Sequence, residues 1–394
     1  MKAMSAWQFT IFRVIFGIYL SVHFFQLVPY ANELFGSSGI LSDPSANPTA
    51  GLFPNPFSLE LEKGILTGIM LGLGFLALAY AAGFWRRGVA VVLWFAWTAL
   101  FHRNNLIINP SIPYVGLLLI LSSLVPVHEP LSFGERDREW AMPRWVYRAA
   151  WVLMALGYGF SGLTKLPSVS WRDGSAMKSL LMNPLARPGW IRDIMLELPD
   201  GILSLLTWGT LAVEILFVPL ALWSRSRPWI WTAMFGMHLG ILCVLDFADL
   251  SLGMLMIHLF TFDPQWLAPK TKGAEQVVLH FDGECLMCSN FIRFVAQEDA
   301  AELIKFRALT PSESAPESML LERGGERLQR SAAFVAVMEA LGGHWRLLGM
   351  MIRCLPRGLR DWGYEFVAAR RYRWFGKAAV CELPSREVAA RLAE

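Results

Sequence analysis

The stretch 279-LHFDGECLMCSNFIRF-294 places two thiols, Cys285 and Cys288, where a β-like run gives way to a helix-like one. Residues 277–282, VVLHFD, are β-branched and aromatic and read as a strand, which Gly283 breaks. Cys285 opens a helix running to 299, in which Phe291, Phe294 and Val295 recur at helical spacing. Further on, the pattern predicts a strand over 303–309 and a hairpin over 319–333 turning at Gly324-Gly325. A helix over 332–343 then ends in two glycines. Strand, helix, strand, hairpin and helix is the order of a small α/β thioredoxin-like domain, with both thiols at the start of its first helix.

That position carries chemistry. Unsatisfied N–H groups and the dipole at a helix start stabilise a thiolate. A second thiol two residues further on can release the mixed disulfide that the first one forms. By position, Cys285 is expected to lie nearer the exposed helix start and to attack, while Cys288, one turn inward, resolves. Asp282 either caps the strand–helix turn or accepts a proton from a thiol. Zinc normally needs four ligands, but the chain has no second CxxC, and His280 points away in strand alternation. Cys354 and Cys381 are distant in sequence, so no metal is expected, and a redox pair outweighs both a metal site and an accidental spacing. Cys243 and Cys354 read as buried core thiols; Cys381 either meets the redox pair or packs.

Composition sets the context. The chain has 394 residues, 55% of them hydrophobic and only 17% charged, where about a quarter is usual. With a mean hydropathy of +0.41, 17 Trp and 26 Phe, it reads as a membrane protein. A net charge of +3 is too small to suggest nucleic acid as a partner, and five cysteines make no disulfide framework. Apolar runs dominate up to Trp266. Residues 264–276 hold the Pro, Gly and Lys of a linker, and beyond them charges are spread throughout the chain. The expected organisation is a membrane domain over 1–266, a linker over 267–276 and a soluble domain over 277–394.

Eight spans are expected, over 7–28, 64–84, 88–106, 112–127, 145–164, 201–223, 229–246 and 249–263. No small-residue cleavage site follows the first, so it is expected to stay as an anchor. Lys and Arg are more numerous on the side that holds the N-terminus, including Arg86, Arg87, Arg136, Arg138, Lys270 and Lys272. This favours a cytoplasmic C-terminal domain on a multi-pass protein of the inner membrane. Arg13, His23, His102, Arg103, Lys165, Glu214, His238 and His258 lie within or beside the spans. Such groups face a bundle interior, so an internal polar cavity is expected. Lys165, at the end of an apolar span, is either a base that has lost its proton or a snorkelling anchor, and the physics alone favours the anchor.

Two resemblances add to this reading. Gly162-Leu163-Thr164-Lys165-Leu166, followed by Trp171 and Gly174, resembles the region around the active-site lysine of vitamin K-dependent γ-carboxylases and their bacterial HTTM (horizontally transferred transmembrane) relatives. The run 12-FRVIFGIYLSVHFF-25, with Phe35-Gly36 and Gly39-Ile40, is similar to that family's first helix and loop. The likeness covers about residues 5–265 and departs at Pro110, where that family has histidine after asparagine. It implies Lys165 as a base acting on a reduced quinone. Asp282-Gly283-x-Cys285-x-x-Cys288, with Arg371-Tyr372-x-x-Phe375-Gly376 and the trailing Cys381, resembles the DCC family of thiol–disulfide oxidoreductases over about 277–390.

The expected architecture is therefore multi-domain: a polytopic all-α membrane bundle of about eight spans, then a small α/β thioredoxin-like domain. The expected function is membrane-anchored thiol–disulfide exchange through Cys285 and Cys288, with Asp282 beside them. Exchange itself requires no cofactor; a quinone in the membrane domain is the cofactor implied by resemblance. The partners are the lipid bilayer and a thiol or disulfide that the sequence does not identify. The alternative is a carboxylase-like membrane enzyme using Lys165 and a lipid-soluble quinone, with the thiol domain recycling that cofactor.

Overall fold

The computed structural model describes residues 4–48, 51–52, 55–59, 61–134, 140–267, 277–283, 285–299, 302–309, 319–376, 388 and 390–392. The expected linker, apart from Leu267, lies outside the described residues, as do Cys381, Arg136, Arg138, Lys270 and Lys272. The chain forms two compact units, Met1–Phe262 and Asp263–Glu394. Residues 264–267 go with the second unit: a Cβ added at Gly343 would lie 2.6 Å from the Cβ of Pro264.

Helices occupy all eight apolar runs of the first unit: α1 (Ala6–Leu27), α2 (Lys63–Ala82), α3 (Arg86–Arg103), α4 (Ile112–Ser123), α5 (Arg144–Lys165), α6 (Asp200–Leu222), α7 (Arg227–Val244) and α8 (Ala248–Thr261). Ser5 caps α1, its hydroxyl accepting the N–H of Gln8 at 3.1 Å. Gly17 lets α1 meet α2 at backbone distance, since a Cβ there would lie 2.6 Å from that of Ala81.

The expectation of eight spans is not met. Among the described residues, three helical segments are long and apolar enough to cross a membrane: Ala6–Phe35, Gly64–Ala82 and Asp200–Leu222. Helices α4 and α8 are apolar but shorter than a bilayer requires. The others are diluted by polar residues: Arg86, Arg87 and Arg103 in α3, Arg144, Arg148 and Lys165 in α5, and Arg227 and His238 in α7. An apolar run marks a helix that packs in a bundle as well as one that meets lipid, and the sequence period does not separate the two.

The second unit is built on β1 (Val277–Asp282), α9 (Leu286–Glu298), β2 (Ile304–Leu309), β3 (Leu320–Arg323) and β4 (Glu326–Gln329). Helices α10 (Arg330–Leu341), α11 (Gly343–Arg353), α12 (Arg357–Ala368) and α13 (Arg371–Phe375) follow. The mixed sheet runs β2-β1-β3-β4, with β1 parallel to β2 and antiparallel to β3. The β3–β4 hairpin turns at Gly324-Gly325, as the two glycines predict. Leu279, Val295, Ile304, Phe306, Leu321, Ala333 and Val337 form the fully buried core. With β1 central in the sheet, its C-terminal end and the following turn are held firmly, and that end carries the thiols. Phe306 of β2 donates its N–H to the carbonyl of Arg391 at 3.0 Å and bridges Leu392 in parallel.

Gly342 and Gly343, at φ 73° and 54°, make the sharp exit from α10 into α11. His344 comes next, its ring nitrogens buried and without hydrogen-bond partners. Burial pulls its pKa down from 6.5 to about 4. The neutral ring is therefore the folded form. Its stability contribution is complete above pH 6.5, is lost as the pH falls toward 4, and at most reaches about 3 kcal/mol. The protection factors of the α11 amides, taken relative to the intrinsic exchange rate at each pH, are expected to fall between pH 6.5 and about 4.5. His344→Phe should remove much of that fall, and an equal loss of protection in both proteins would contradict the assignment.

Candidate functional site

The turn from β1 into α9 is built around its two cysteines. Cys285 is the N-cap of α9, in extended conformation at φ −91° and ψ 114°, and its sulfur accepts the N–H of Cys288 at 3.4 Å. Its own N–H donates to the carbonyl of Asp282 at 3.3 Å. Both thiols therefore stand at the start of the helix, as the motif predicts, and both are free.

Their exposure is the reverse of the expectation. Cys285 is 0% exposed, whereas Cys288 is only partly buried and lines a cavity of about 570 Å³. A cap residue is open only if nothing packs over the helix start. Here α13 packs against α9, and Leu286 reaches within 3.4 Å of where Gly376 would carry a Cβ. Burial pushes the Cys288 thiol up, and the neighbouring Cys285 sulfur and the Asp282 carboxylate push the same way, while the Arg371 guanidinium opposes them.

Asp282 is clamped rather than poised. Its Oδ2 accepts from Nη2 of Arg371 at 3.1 Å and from the hydroxyl of Tyr372, so the first turn of α13 is fixed to the end of β1. Burial and the bond to Asp282 raise Tyr372. This arrangement fixes the Asp282 carboxylate at the end of β1, where its charge raises the Cys288 thiol. Asp282→Asn removes a negative charge and releases the Arg371 cation, and both changes favour a thiolate. The thiolate absorbance of the pair is expected to titrate at lower pH in Asp282→Asn; an unchanged or higher midpoint would contradict this.

Residues 279–377 match the DCC1-like thiol-disulfide oxidoreductase family. The chain is 34% identical over 128 residues to YuxK of Bacillus subtilis, an overlap of 29% of this chain and 91% of YuxK. It is 30% identical over 118 residues to a chloroplastic DCC family protein of Arabidopsis thaliana, an overlap of 27% of this chain and 69% of that one. The chain belongs to the DCC family. No solved structure matches it.

Arg371 and Tyr372 of the DCC block were visible in the sequence as a motif, but their bonds to Asp282, across 89 and 90 positions, were not. Tyr364, whose hydroxyl accepts the N–H of Met319 at 2.8 Å, had no sequence signal. Cys354 is exposed at the end of α11, and Cys243 is exposed on α7. Both were expected to be buried. An apolar neighbourhood in sequence marks a helix face that shuns water without saying what covers it.

In the first unit of this DCC protein the polar residues gather into separate bonded groups. The ammonium of Lys165 donates to both carboxylate oxygens of Glu214, Oε2 at 2.6 Å, and lies 4.7 Å from the Trp171 ring centre. Lys165 is thus ion-paired into the bundle rather than extended as an anchor. The Tyr158 hydroxyl sits between Nε2 of His238 and Nε2 of His258, 2.8 Å from each. Asp249 meets Nδ1 of His23 at 2.8 Å and accepts from Tyr19 at 3.1 Å and Asn109 at 3.0 Å. Glu129 holds Arg13 at 3.0 Å and Arg86 at 2.9 Å. Arg103 donates to the carbonyls of Gly36, Leu41 and Phe57. Among the described residues no group of His, Cys, Asp and Glu could hold a metal ion.

Proposed function

We propose that this DCC family protein is a membrane-anchored thiol–disulfide oxidoreductase in which Cys285 and Cys288 cycle between dithiol and disulfide. The observation that carries the reading is the pair itself. The Cys285 sulfur accepts the backbone N–H of Cys288 at a helix start, and Cys288 opens on a cavity. The strand and helix order around it supports a thioredoxin-like domain. Anchoring is supported by the three membrane-length helices and by outward apolar side chains on them, such as Ile18, Phe75 and Leu205. On a cytoplasmic face the pair would rest reduced.

An incoming sulfur must reach its nucleophile, so the mixed disulfide forms on Cys288 and Cys285 resolves it. Because the Cys288 thiol is raised, exchange quickens as the pH climbs beyond the range of an ordinary cysteine. A quinone would serve this scheme as an electron partner in the bilayer. The carboxylase-like alternative needs Lys165 as a free base. Its amine is instead engaged by the Glu214 carboxylate, which favours the exchange reading.

The test is oxidation of the full chain in detergent with glutathione disulfide, followed by peptide mass spectrometry. A Cys285–Cys288 disulfide is expected. Two separate glutathione adducts, with no internal bond, would sink the proposal.

A further inference from the structure

The cavity beside Cys288 lies within the second unit, and its volume of about 570 Å³ falls in the range of small-molecule sites. Its wall is mostly apolar, with Phe281, Met287, Phe291, Ile292, Leu355 and Leu359 among the lining residues. Few polar groups interrupt it. Cys288 brings a thiol to the wall, and Asp282 and Arg371, which act on its charge, line the same space. Arg360 of α12 also lines the cavity, and its Nε is buried without a hydrogen-bond partner. A buried guanidinium N–H without an acceptor is costly, and a ligand oxygen would satisfy it.

We infer that this cavity is the substrate site of the exchange reaction and takes a small apolar disulfide bearing an acceptor group for Arg360. The inference rests on the exchange reading and names its substrate class. A sulfur on a cavity wall is reached by groups that fit inside, not by the surface disulfide of a folded protein. A peptide disulfide would bring ammonium ends to a mostly apolar wall whose carboxylate, Asp282, is already engaged by Arg371 and Tyr372, which disfavours it. An aryl or alkyl disulfide gains from the same wall.

The reaction balances within the site. The Cys288 thiolate attacks one sulfur of the substrate, R–S–S–R′, and R′–S⁻ leaves. Cys285 gives up its proton and attacks the sulfur of Cys288, forming the internal disulfide and expelling R–S⁻. The two protons of the pair go to the two leaving thiolates, and two electrons pass from the dithiol to the substrate.

Gly363 supplies the test. It lines the cavity from the middle of α12, and a Cβ added there meets nothing within 4 Å. Gly363→Phe therefore puts a ring into open space, and replacing glycine within a helix does not weaken that helix. The reduced full chain in detergent is reacted with dithiobis(nitrobenzoate), an aromatic disulfide bearing carboxylates, and separately with glutathione disulfide. Each rate is divided by the rate of dithiothreitol with the same reagent. The normalised preference for the aromatic disulfide is expected to be tenfold or more. It should fall below about threefold in Gly363→Phe and drop in Arg360→Met, with thermal unfolding of Gly363→Phe no earlier than in the parent. If the preference is absent, or survives both substitutions, while glutathione disulfide still oxidises the pair, the cavity inference is overturned and the exchange reading stands. If neither disulfide oxidises the pair, the exchange reading fails and takes the inference with it.

Discussion

Treated with excess disulfide, the Cys285→Ser protein is expected to accumulate a mixed disulfide on Cys288, while Cys288→Ser accumulates none on Cys285. The sequence alone points the other way, because the first thiol of such a motif normally faces out. The difference lies in exposure: Cys285 is 0% exposed, and Cys288 lines the cavity. Steady-state turnover should fall by roughly 10³ in either variant, since attack without resolution and resolution without attack both stop the cycle. Intact mass and thiol-specific peptide mapping identify the trapped sulfur. An adduct on Cys285 in the Cys288→Ser protein would show that the helix start opens in solution and would restore the order read from the motif.

The largest effect on stability is expected at Glu129. Its carboxylate holds Arg13 and Arg86, and all three side chains are no more than 1% exposed. Arg86 also donates to the carbonyls of Ser122, Val125 and Pro126, and Arg13 to that of Leu131, so the loop after α4 is tied to α1 and α3. Glu129→Ala leaves two buried guanidinium groups facing each other, at a cost of about 3–5 kcal/mol. Lys178→Met breaks an ion pair whose partners are 48% and 76% exposed, and should cost less than about 1 kcal/mol. Thermal unfolding in one detergent compares the two. A Glu129→Ala midpoint within a degree or two of Lys178→Met would show that water reaches the buried charges.

The thiol domain was largely legible in sequence because its signals are local. The switch from strand to helix at Gly283, the Gly324-Gly325 hairpin and the glycine-ended α10 each follow from neighbouring residues, and all were found. The eight helices on the apolar runs of the first unit were legible for the same reason, but their relation to a membrane was not. Charges such as Arg86, Arg87 and Arg103 separate a bundle helix from a span only when read in place. The pairings that fix the sites were beyond reach, because Arg13 meets Glu129 across 116 positions and Arg371 meets Asp282 across 89. Glu129 carries no motif or period in the sequence. No spacing rule brings it under two arginines.

The short strand-like return of residues 390–392 along β2 has a practical side. Arg391 is moored there by Asp299 at 3.3 Å and Glu302 at 3.5 Å, and its carbonyl takes up the N–H of Phe306. Without it, the outer strand of a four-stranded sheet would offer open donors and acceptors to any extended chain, the usual seed of strand addition and fibril-like self-association. Proteolytic trimming or a bulky tag fused just past this point would thus turn a well-behaved domain into a sticky one long before it altered the chemistry of the sulfurs.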